Sequence, residues 1–402
     1  MALLAVAEAL ERVLAHAAPL PPQEVPLEDA AGCVLAYDLK ALRTQPPADV
    51  SAMDGYAVRA ADVAAAPARL KVIGEVAAGR PFDAEIAPGQ AARIFTGGFM
   101  PAGADTVVIQ EVTARSGDTV EIQKPCAKGR NVRLKGLDFR AGEVLLHKGH
   151  RLAARDLALA AGMNHPLVPV HRPPRVALFA TGDELVPPGR EPGPGQIVYS
   201  NGFSLAALIR AEGAEVTDLG VVNDTLQATL TAIGDARALP ADILVTTGGA
   251  SVGDYDLVQQ AFAKEGMDLS FWKVAMRPGR PLMHGTLDGM HVLGLPGNPV
   301  SSYVCAFLFL VPLIRRMSGR ADLVQASETA LLGCDLAEND ERADYLRATL
   351  EAGPGGLVAT PFPVQDSSMT VPLAKAGCLV IRAPHAPPAK AGSACAILRL
   401  DR

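Results

Sequence analysis

The segment from Ile243 to Asp256 constrains the fold of this chain more than any other stretch of its sequence. Three apolar residues, Ile243-Leu244-Val245, indicate a buried strand, and the loop after them is rich in threonine, glycine and serine. A helix is predicted to begin near Tyr255. A small-residue loop at the carboxyl end of a strand lets a ligand approach backbone amides and a helix N-terminus, both of which favour anions. The alternative is a tight strand-to-helix turn with no ligand.

Two carboxylates close this loop, at Asp254 and Asp256. Carboxylates repel a phosphate unless a divalent cation lies between them, and hard cations prefer oxygen ligands. The density of small residues, hydroxyls and acids in one turn therefore favours a binding site for an anionic ligand together with a metal ion.

Strand-like and helix-like segments alternate from residue 172 to 319. The predicted strands are 175–180, 215–222, 243–245 and 291–295, and helices are predicted over 203–212, from Asp224 and from Val300. This alternation predicts a mostly parallel sheet with helices on both faces and ligands beyond the carboxyl ends of its strands. Asn201 is placed to cap the helix over 203–212, and Gly213 to end it.

The regions before and after residues 172–319 have a different sequence pattern. Residues 1–171 mix helix-like ends with short strands punctuated by proline and glycine, which predicts a discontinuous α+β region with an inserted β subdomain at about 46–145. Residues 320–402 read as a small all-β domain. The predicted fold is thus an α/β multidomain protein with its main binding site in the central domain.

Composition excludes several classes of function. The 402 residues carry a net charge of −6, so no overall positive field recruits nucleic acid or an anionic membrane. Six cysteines lie far apart without a C-x-x-C pair, which argues against zinc and fits the reduced thiols of a cytoplasmic protein. The first 16 residues indicate an amphipathic helix rather than a signal peptide. The longest apolar run, 303–314, is too short to span a bilayer.

Two further strand-end loops carry candidate ligand groups. In Thr181-Gly182-Asp183-Glu184 the functional reading is a metal or ribose contact by Glu184, and the alternative is helix capping by Asp183. The turn at 296–299 offers the amide of Asn298 on a rigid Pro-Gly scaffold. Arg277 and Arg280 flank a second Pro-Gly turn, where they either hold an oxyanion or form an ordinary solvated surface.

Taken together, these motifs resemble those of a known family. In chain order they are S-A-M-D-G-Y-A-V (51–58), I-F-T-G-G (94–98), P-A-G-A-D (101–105), N-V-R (131–133), T-G-D-E-L (181–185), S-N (200–201), G-G-A-S-V-G-D-Y-D (248–256), A-M-R-P-G-R-P (275–281) and G-L-P-G-N-P-V-S (294–301). The set is similar to the molybdopterin molybdenumtransferase family, to which the E domain of gephyrin also belongs. The match spans nearly the whole chain in order, which makes it specific.

The resemblance implies the last step of molybdenum cofactor synthesis. Adenylylated molybdopterin and molybdate would be the substrates, Mg2+ would assist cleavage of the phosphoanhydride, and AMP would leave. It also implies a molybdopterin-binding central domain and an elongated homodimer, with each active site between the α/β domain of one subunit and N-terminal elements of the other. An adenylyltransferase and molybdoenzymes are the implied partners.

The family's functional residues map onto this chain by motif. The catalytic set is Asp54, Thr96, Asp138, Glu184, Asp224 and Asp256, and the metal ligands are Glu184, Asp224 and Asp256. The substrate-binding set is Arg133, Thr181, Gly182, Ser200, Asn201, Gly248, Gly249, Ser251, Gly253, Arg277, Arg280, Pro296, Gly297, Asn298 and Ser301. Three members have structural alternatives: Asp54 as a turn residue, Asp224 as a helix cap, and the segment 96–98 as a β-turn.

Several positions depart from the family pattern. Arginines replace the common lysines at 277 and 280, and Leu137 replaces an acid. The segments 365–368 and 375–377 lack a glycine and an asparagine, which puts a contribution of the C-terminal domain to the site in doubt. Two other functions stay open: molybdopterin adenylylation, and a non-catalytic dimeric scaffold that has lost its acids.

Overall fold

The structure, a computed structural model, describes residues 3–80, 82–248 and 257–400. Its first helix, α1 (Val6–Ala15), is amphipathic as predicted: Ala9 and Val13 are buried, while Glu8 and Arg12 form an ion pair of 2.6 Å on the outer side. The buried residues join the core of the central domain, against helix residues such as Leu313. The helix therefore packs on the central domain, although it lies in the predicted N-terminal region.

The rest of the N-terminal region consists of short strands and one helix. They are β1 (Pro22–Pro26), β2 (Leu39–Lys40), β3 (Val50–Ser51), β4 (Gly55–Val58), β5 (Ala68–Val76), β6 (Gln90–Ile94), β7 (Thr106–Ile109), β8 (Thr113–Ser116), β9 (Thr119–Ile122), β10 (Val132–Arg133), β11 (Val144–Leu146), α2 (Ala154–Gly162) and β12 (Leu167–His171). Strands β4 to β9 form one six-stranded sheet in the order β7-β4-β6-β5-β9-β8. The segments on either side of it pair with each other, β1 with β12, β2 with β11 and β3 with β10.

This pairing has the form of a β subdomain inserted into a discontinuous region. A separate core joins residues before and after the insertion, including Leu35, Leu39, Phe139 and Leu152. The boundaries at 46, 145 and 171 stay predictions.

The central domain is built on a six-stranded sheet. Its elements are β13 (Arg175–Thr181), β14 (Leu185–Val186), β15 (Ile197–Val198), α3 (Asn201–Ala211), β16 (Glu215–Val222), α4 (Leu226–Ala238), β17 (Ile243–Thr247), α5 (Leu257–Lys264), β18 (Asp268–Trp272), β19 (Met276–Arg277), β20 (Met283–Leu287), β21 (Met290–Leu295) and α6 (Pro299–Met317). The strand order is β16-β13-β17-β21-β20-β18. The first four strands are parallel, and β20 pairs antiparallel with both β21 and β18, which confirms the prediction of a mostly parallel sheet.

Alternate residues of the central strands enter two cores on opposite faces. In β17, Ile243 and Val245 pack with Leu205 of α3, whereas Leu244 packs with Phe262 of α5. A sheet buried on both faces needs apolar side chains at successive positions, which is why its strands read as continuous apolar runs.

Helix α6 is longer than the apolar run that predicts it. Its 19 residues have a mean hydropathy of 1.5 over an 18-residue window, so by length and composition it is able to cross a membrane. Because 72% of that window is buried inside the protein, it serves here as a core helix.

The C-terminal domain is a small barrel. It contains β22 (Glu328–Leu332), β23 (Ala343–Gly353), β24 (Gly356–Pro361), α7 (Thr370–Lys375), β25 (Cys378–Arg382) and β26 (Ala394–Arg399). The order β23-β24-β22-β26-β25 closes because β25 returns to β23, and β19 of the central domain adds to the outer side of β23. The predicted β domain is confirmed, with the short helix α7 as an unpredicted addition.

Candidate functional site

A cavity of about 760 Å³ opens at the carboxyl ends of β13, β17 and β21. Its lining residues come from strand-end loops, from the turn after β21 and from the C-terminal domain: Thr181, Glu184, Leu185, Ile197, Val198, Tyr199, Ser200, Asn201, Asp224, Thr247, Gly248, Pro281, Pro296, Gly297, Asn298, Pro299, Ser368 and Thr370. This is the sheet edge at which the sequence predicts ligand binding. Most of the predicted central-domain site residues thus meet in one cavity.

Glu184 and Asp224 are the two described acids of this wall. Partial burial raises the pKa of Asp224, and the nearby carboxylates of Asp183 and Glu184 raise it further. The Asp224 amide donates to Asp183 Oδ1 at 3.1 Å, which ties the two loops together. A cation near these carboxylates would reduce their mutual repulsion.

Both helix-capping alternatives for these loops are wrong. Helix α4 begins at Leu226, and Thr225 caps it by accepting a hydrogen bond of 3.2 Å from the Ala228 amide. Asp224 therefore precedes the cap and faces the cavity. Asp183 accepts from the Asp224 amide instead of from a helix N-terminus.

Gly182 shapes this wall without lining the cavity itself. Its φ is 153°, and a Cβ there would lie 2.7 Å from Glu184 Oε2. A larger residue would displace the glutamate carboxylate, so glycine at this position preserves the place of Glu184.

The turn after β21 is held from two sides by asparagine amides. Asn201 Nδ2 donates to the Gly297 carbonyl at 2.7 Å, and Asn298 Nδ2 donates to Ser367 Oγ at 2.8 Å. Asn201 is the first residue of α3 and makes no capping hydrogen bond, so the prediction that it caps this helix is wrong. Ser301 is buried at the start of α6 and is not among the residues that line the cavity.

The C-terminal domain contributes more than the sequence suggests. Ser368 and Thr370 line the cavity, and the Val300 amide donates to the Ser367 carbonyl at 3.0 Å. The doubt raised by the altered 365–368 segment is therefore resolved in favour of a contribution. The sequence offers two signals for it, the partial family motif at 365–368 and the hydroxyl residues at 367–370.

Sequence reasoning also missed Arg347, which is 1% exposed. Its side chain donates to Gln365 Oε1 at 3.3 Å and to the Met369 carbonyl at 3.1 Å, beside the segment that reaches the cavity. Desolvation lowers the pKa of Arg347, and the charge of Asp366 opposes this shift. A desolvated guanidinium beside the cavity favours a nearby anion.

The two arginines of the 275–281 segment have different surroundings. Arg277 is fixed by Asp344, with hydrogen bonds of 2.8 and 2.7 Å, and Asp340 lies 3.3 Å from it. Arg280 is exposed, and no residue in the described ranges forms an ion pair with its side chain. Pro281, the next residue, lines the cavity. Arg277 is thus engaged by the barrel, whereas Arg280 is available to a ligand.

In the N-terminal region, Asp54 and Thr96 are brought together. The amide and the hydroxyl of Thr96 both donate to Asp54 Oδ1 at 2.7 Å. These hydrogen bonds lower the pKa of Asp54, and the charge of Arg93 lowers it further. Segment 95–98 is also a turn, since the Gly98 amide donates to the Phe95 carbonyl at 2.9 Å. The turn reading and the functional reading of Thr96 are compatible.

Arg133 and Asp138 line a second cavity of about 440 Å³, together with Gly97 and Arg43. The larger cavity is lined by none of these four residues, Asp54, Thr96, Arg133 and Asp138. Within one chain, the predicted catalytic residues therefore divide into two groups, one in the central domain and one in the N-terminal region.

Four predicted site residues, Gly249, Ser251, Gly253 and Asp256, lie outside the described residues. Over the described ranges there is no group of three or more histidine, cysteine, aspartate and glutamate side chains arranged to hold a metal ion. The predicted set of Glu184, Asp224 and Asp256 includes one of the residues outside those ranges, so it stays a prediction.

Comparisons with known families agree with this architecture. The model of the MoeA N-terminal region (domain I and II) matches residues 4–163, that of a probable molybdopterin binding domain matches 177–316, and that of the MoeA C-terminal region (domain IV) matches 329–400. The three matches follow the chain in order and include the cavity-lining loops of the central domain.

Similar proteins and structures carry related names. A molybdopterin molybdenumtransferase from Nostoc sp. is 44% identical over 74% of this chain and 70% of its own length, and one from Staphylococcus aureus is 33% identical over 94% and 90%. A crystal structure of a molybdopterin biosynthesis MoeA protein from Pyrococcus horikoshii is 29% identical, with a TM-score of 0.84 over 98% of this chain and 99% of that one. The chain therefore belongs to the molybdopterin molybdenumtransferase family.

Proposed function

We propose that this protein inserts molybdenum from molybdate into adenylylated molybdopterin and releases AMP. The observation that carries the proposal is the pairing of Glu184 and Asp224 on the wall of the 760 Å³ cavity, inside the part of the chain that matches a molybdopterin-binding domain. Transfer of the metal requires an anionic, nucleotide-sized substrate to lie beside groups that neutralise the phosphate charge. The volume falls in the range typical of cofactor sites.

Mg2+ is the cofactor that this proposal includes. Carboxylate oxygens are the ligands that it prefers, and a cation would offset the partial burial and the repulsion that together raise the pKa of Asp224. Glu184 and Asp224, with Asp256, would hold it. When bound, Mg2+ supplies positive charge to the phosphate that leaves as AMP.

Molybdate is a small dianion and needs hydrogen-bond donors and fixed cations. Arg280 directly precedes Pro281, which lines the cavity, and the buried Arg347 is hydrogen-bonded to Gln365 and Met369. The Thr370 hydroxyl is a further donor, and the Asn298 side-chain amide keeps one N–H beyond the one that it gives to Ser367. These groups favour an oxyanion at the side of the cavity that faces the C-terminal domain.

The active unit that we propose is a homodimer. Asp54 is oriented by two hydrogen bonds from Thr96, although it does not line the larger cavity of its own chain. In a two-fold dimer, the N-terminal group of one subunit would complete the central cavity of the other. This arrangement accounts for an oriented carboxylate that has no place in its own cavity.

The alternative functions gain less support. An adenylyltransferase would need only the central domain, whereas the N-terminal and C-terminal regions of this chain also match the family. A non-catalytic scaffold would not need to retain Asp54, Glu184 and Asp224. The free cysteines among the described residues are consistent with our placing the protein in the cytoplasm.

The decisive experiment follows AMP release from adenylylated molybdopterin in the presence of Mg2+, with and without molybdate. We expect release that depends on molybdate. AMP that appears at the same rate without molybdate, or no AMP from a correctly folded protein, would contradict the proposal.

A further inference from the structure

The cavity has an apolar edge to which none of the site assignments gives a function. Leu185, Ile197 and Val198 line it on the side of the short strands β14 and β15, and we call them the apolar strip. We propose that the apolar strip holds a planar fused heteroaromatic ring of the phosphate-bearing substrate. This inference rests on the proposed function and adds to it the place of the ring.

The exposure of the strip needs an explanation. Ile197 is 56% exposed and Val198 is 41% exposed, although both are β-branched residues in a strand. Strands β14 and β15 pair in parallel, with Leu185 beside Ile197, so the apolar side chains are adjacent. Adjacent exposed apolar side chains that line a cavity together with acids and hydroxyls are typical of a ligand-binding surface.

The position of the apolar strip beside Glu184 indicates which part of the ligand lies on the strip. The Ile197 amide donates to the Glu184 carbonyl at 2.8 Å, and Leu185 directly follows Glu184 in the chain. Both the acids and the strip line the same cavity. A ligand whose phosphate is neutralised near Glu184 therefore carries its uncharged part along the strip, and apolar side chains favour the face of an aromatic ring over a sugar.

The strip is also held in place. The Tyr199 amide donates to the Val186 carbonyl at 2.8 Å, and the Tyr199 hydroxyl donates to Asp218 at 3.3 Å. A Cβ at residue 202 would lie 1.7 Å from that hydroxyl, so Gly202 provides the space in which the tyrosine lies. Burial raises the pKa of Tyr199, which keeps the hydroxyl protonated as a donor. The anchor fixes β15 and with it the strip.

Two rings of the substrate share this chemistry, adenine and the pterin, and a binding experiment separates them. The double variant Ile197→Ser/Val198→Ser removes the apolar surface, and Leu269→Ser, at a residue 40% exposed on β18, is the matched control. Calorimetry measures the affinities for AMP, for a pterin phosphate and for ribose 5-phosphate, which has the phosphate but no ring.

We expect the double variant to lose about tenfold in affinity for one of the two ring compounds, since a buried apolar contact of this size contributes that much. Ribose 5-phosphate binding stays unchanged, and the control binds all three like the parent. A selective loss for AMP places adenine on the strip, and a selective loss for the pterin phosphate places the pterin there.

Three outcomes overturn the inference: unchanged affinity for both ring compounds, an equal loss for all three ligands, or a parent protein that binds the ring compounds no better than ribose 5-phosphate. Molybdate-dependent AMP release by the parent, measured separately, shows whether the proposed function holds. If the parent releases AMP in a molybdate-dependent way and the double variant keeps its affinity for both ring compounds, only the inference about the apolar strip fails and the proposed function holds.

Discussion

Two aspartates of this chain, Asp224 in the central cavity and Asp54 in the N-terminal region, have opposite electrostatic surroundings. Partial burial and the carboxylates of Asp183 and Glu184 raise the pKa of Asp224. Two hydrogen bonds from Thr96 lower the pKa of Asp54. An added cation would stabilise the ionised form of Asp224, whereas the hydrogen bonds from Thr96 already favour the ionised form of Asp54 and orient it.

The difference suggests two roles. The central acids suit a metal ion that arrives with the substrate, and the N-terminal acid suits a fixed contact to a group brought to it from outside its own chain. The proposed site then depends on both regions, although Asp54 does not line the central cavity of its own chain.

The largest effect should come from the central acids. We expect Glu184→Ala to reduce Mg2+-dependent AMP release by about 10²-fold or more, because an electrostatic contribution carried by the metal is lost. We expect the same from Asp256→Ala. Glu191→Ala, which removes an exposed acid from the loop between β14 and β15, is the control and should behave like the parent. Parental rates in the Glu184 variant would restrict that residue to a structural role.

Mixing subunits tests whether the two regions act across a dimer. Asp54→Ala and Glu184→Ala chains should each be inactive alone. Random exchange makes half of the dimers mixed, each with one intact site, so the mixture should recover about a quarter of the parental rate. The rate is measured after subunit exchange has been confirmed with tagged chains. No recovery would place both regions of the site in one chain.

The two arginines of the 275–281 segment should separate binding from stability. Arg280→Ala should raise the molybdate concentration for half-maximal AMP release by about tenfold, and Arg280→Lys should raise it less because a positive charge remains. Arg277→Ala, which breaks the ion pair with Asp344, should lower the melting temperature and leave the molybdate dependence nearly unchanged. Equal molybdate dependence in parent and Arg280→Ala would exclude Arg280 from the site.

The smallest predicted effect is on pH dependence. Because the pKa of Asp224 is raised, its carboxylate becomes protonated at a higher pH than an ordinary aspartate, while Asp54 stays ionised. AMP release should therefore fall on the acid side as the pH drops through the raised pKa of Asp224. A tenfold increase in Mg2+ should move that midpoint downward by up to about one pH unit, since metal and proton compete.

Thr96→Val separates the two acids in the same measurement. It removes the hydroxyl that donates to Asp54, so it should raise the pKa of Asp54 and leave the acid midpoint of the pH profile in place. If the acid midpoint of the pH profile shifts in the Thr96→Val variant, the acid side of the profile is due to Asp54.

The central sheet could be predicted because the pattern that indicates each strand lies within a short segment of the sequence. Strands buried on both faces need consecutive apolar residues, and 243–245 has them. Helix α7 could not be predicted, since its six residues include a proline and are too few to show helical periodicity.

The candidate site likewise contains residues that could be predicted from local sequence and residues that could not. Glu184, Asp224 and Gly248 follow strands directly, so their meeting at one edge follows from a parallel sheet. The burial of Arg347 and the ion pair of Arg277 with Asp344, 67 residues away, arise only when the barrel closes. No pattern within a single segment records such contacts.

The pairing of β19 with β23 limits how far the C-terminal barrel can be treated as a module. Met276 and Arg277 lie in register with Ala343 and Asp344, so the barrel positions the turn that carries Arg280. A chimera that exchanges the barrel at the chain junction near residue 320 would replace one partner of this pair and keep the other. Successful grafting between relatives then requires the 275–281 segment to be exchanged together with the barrel.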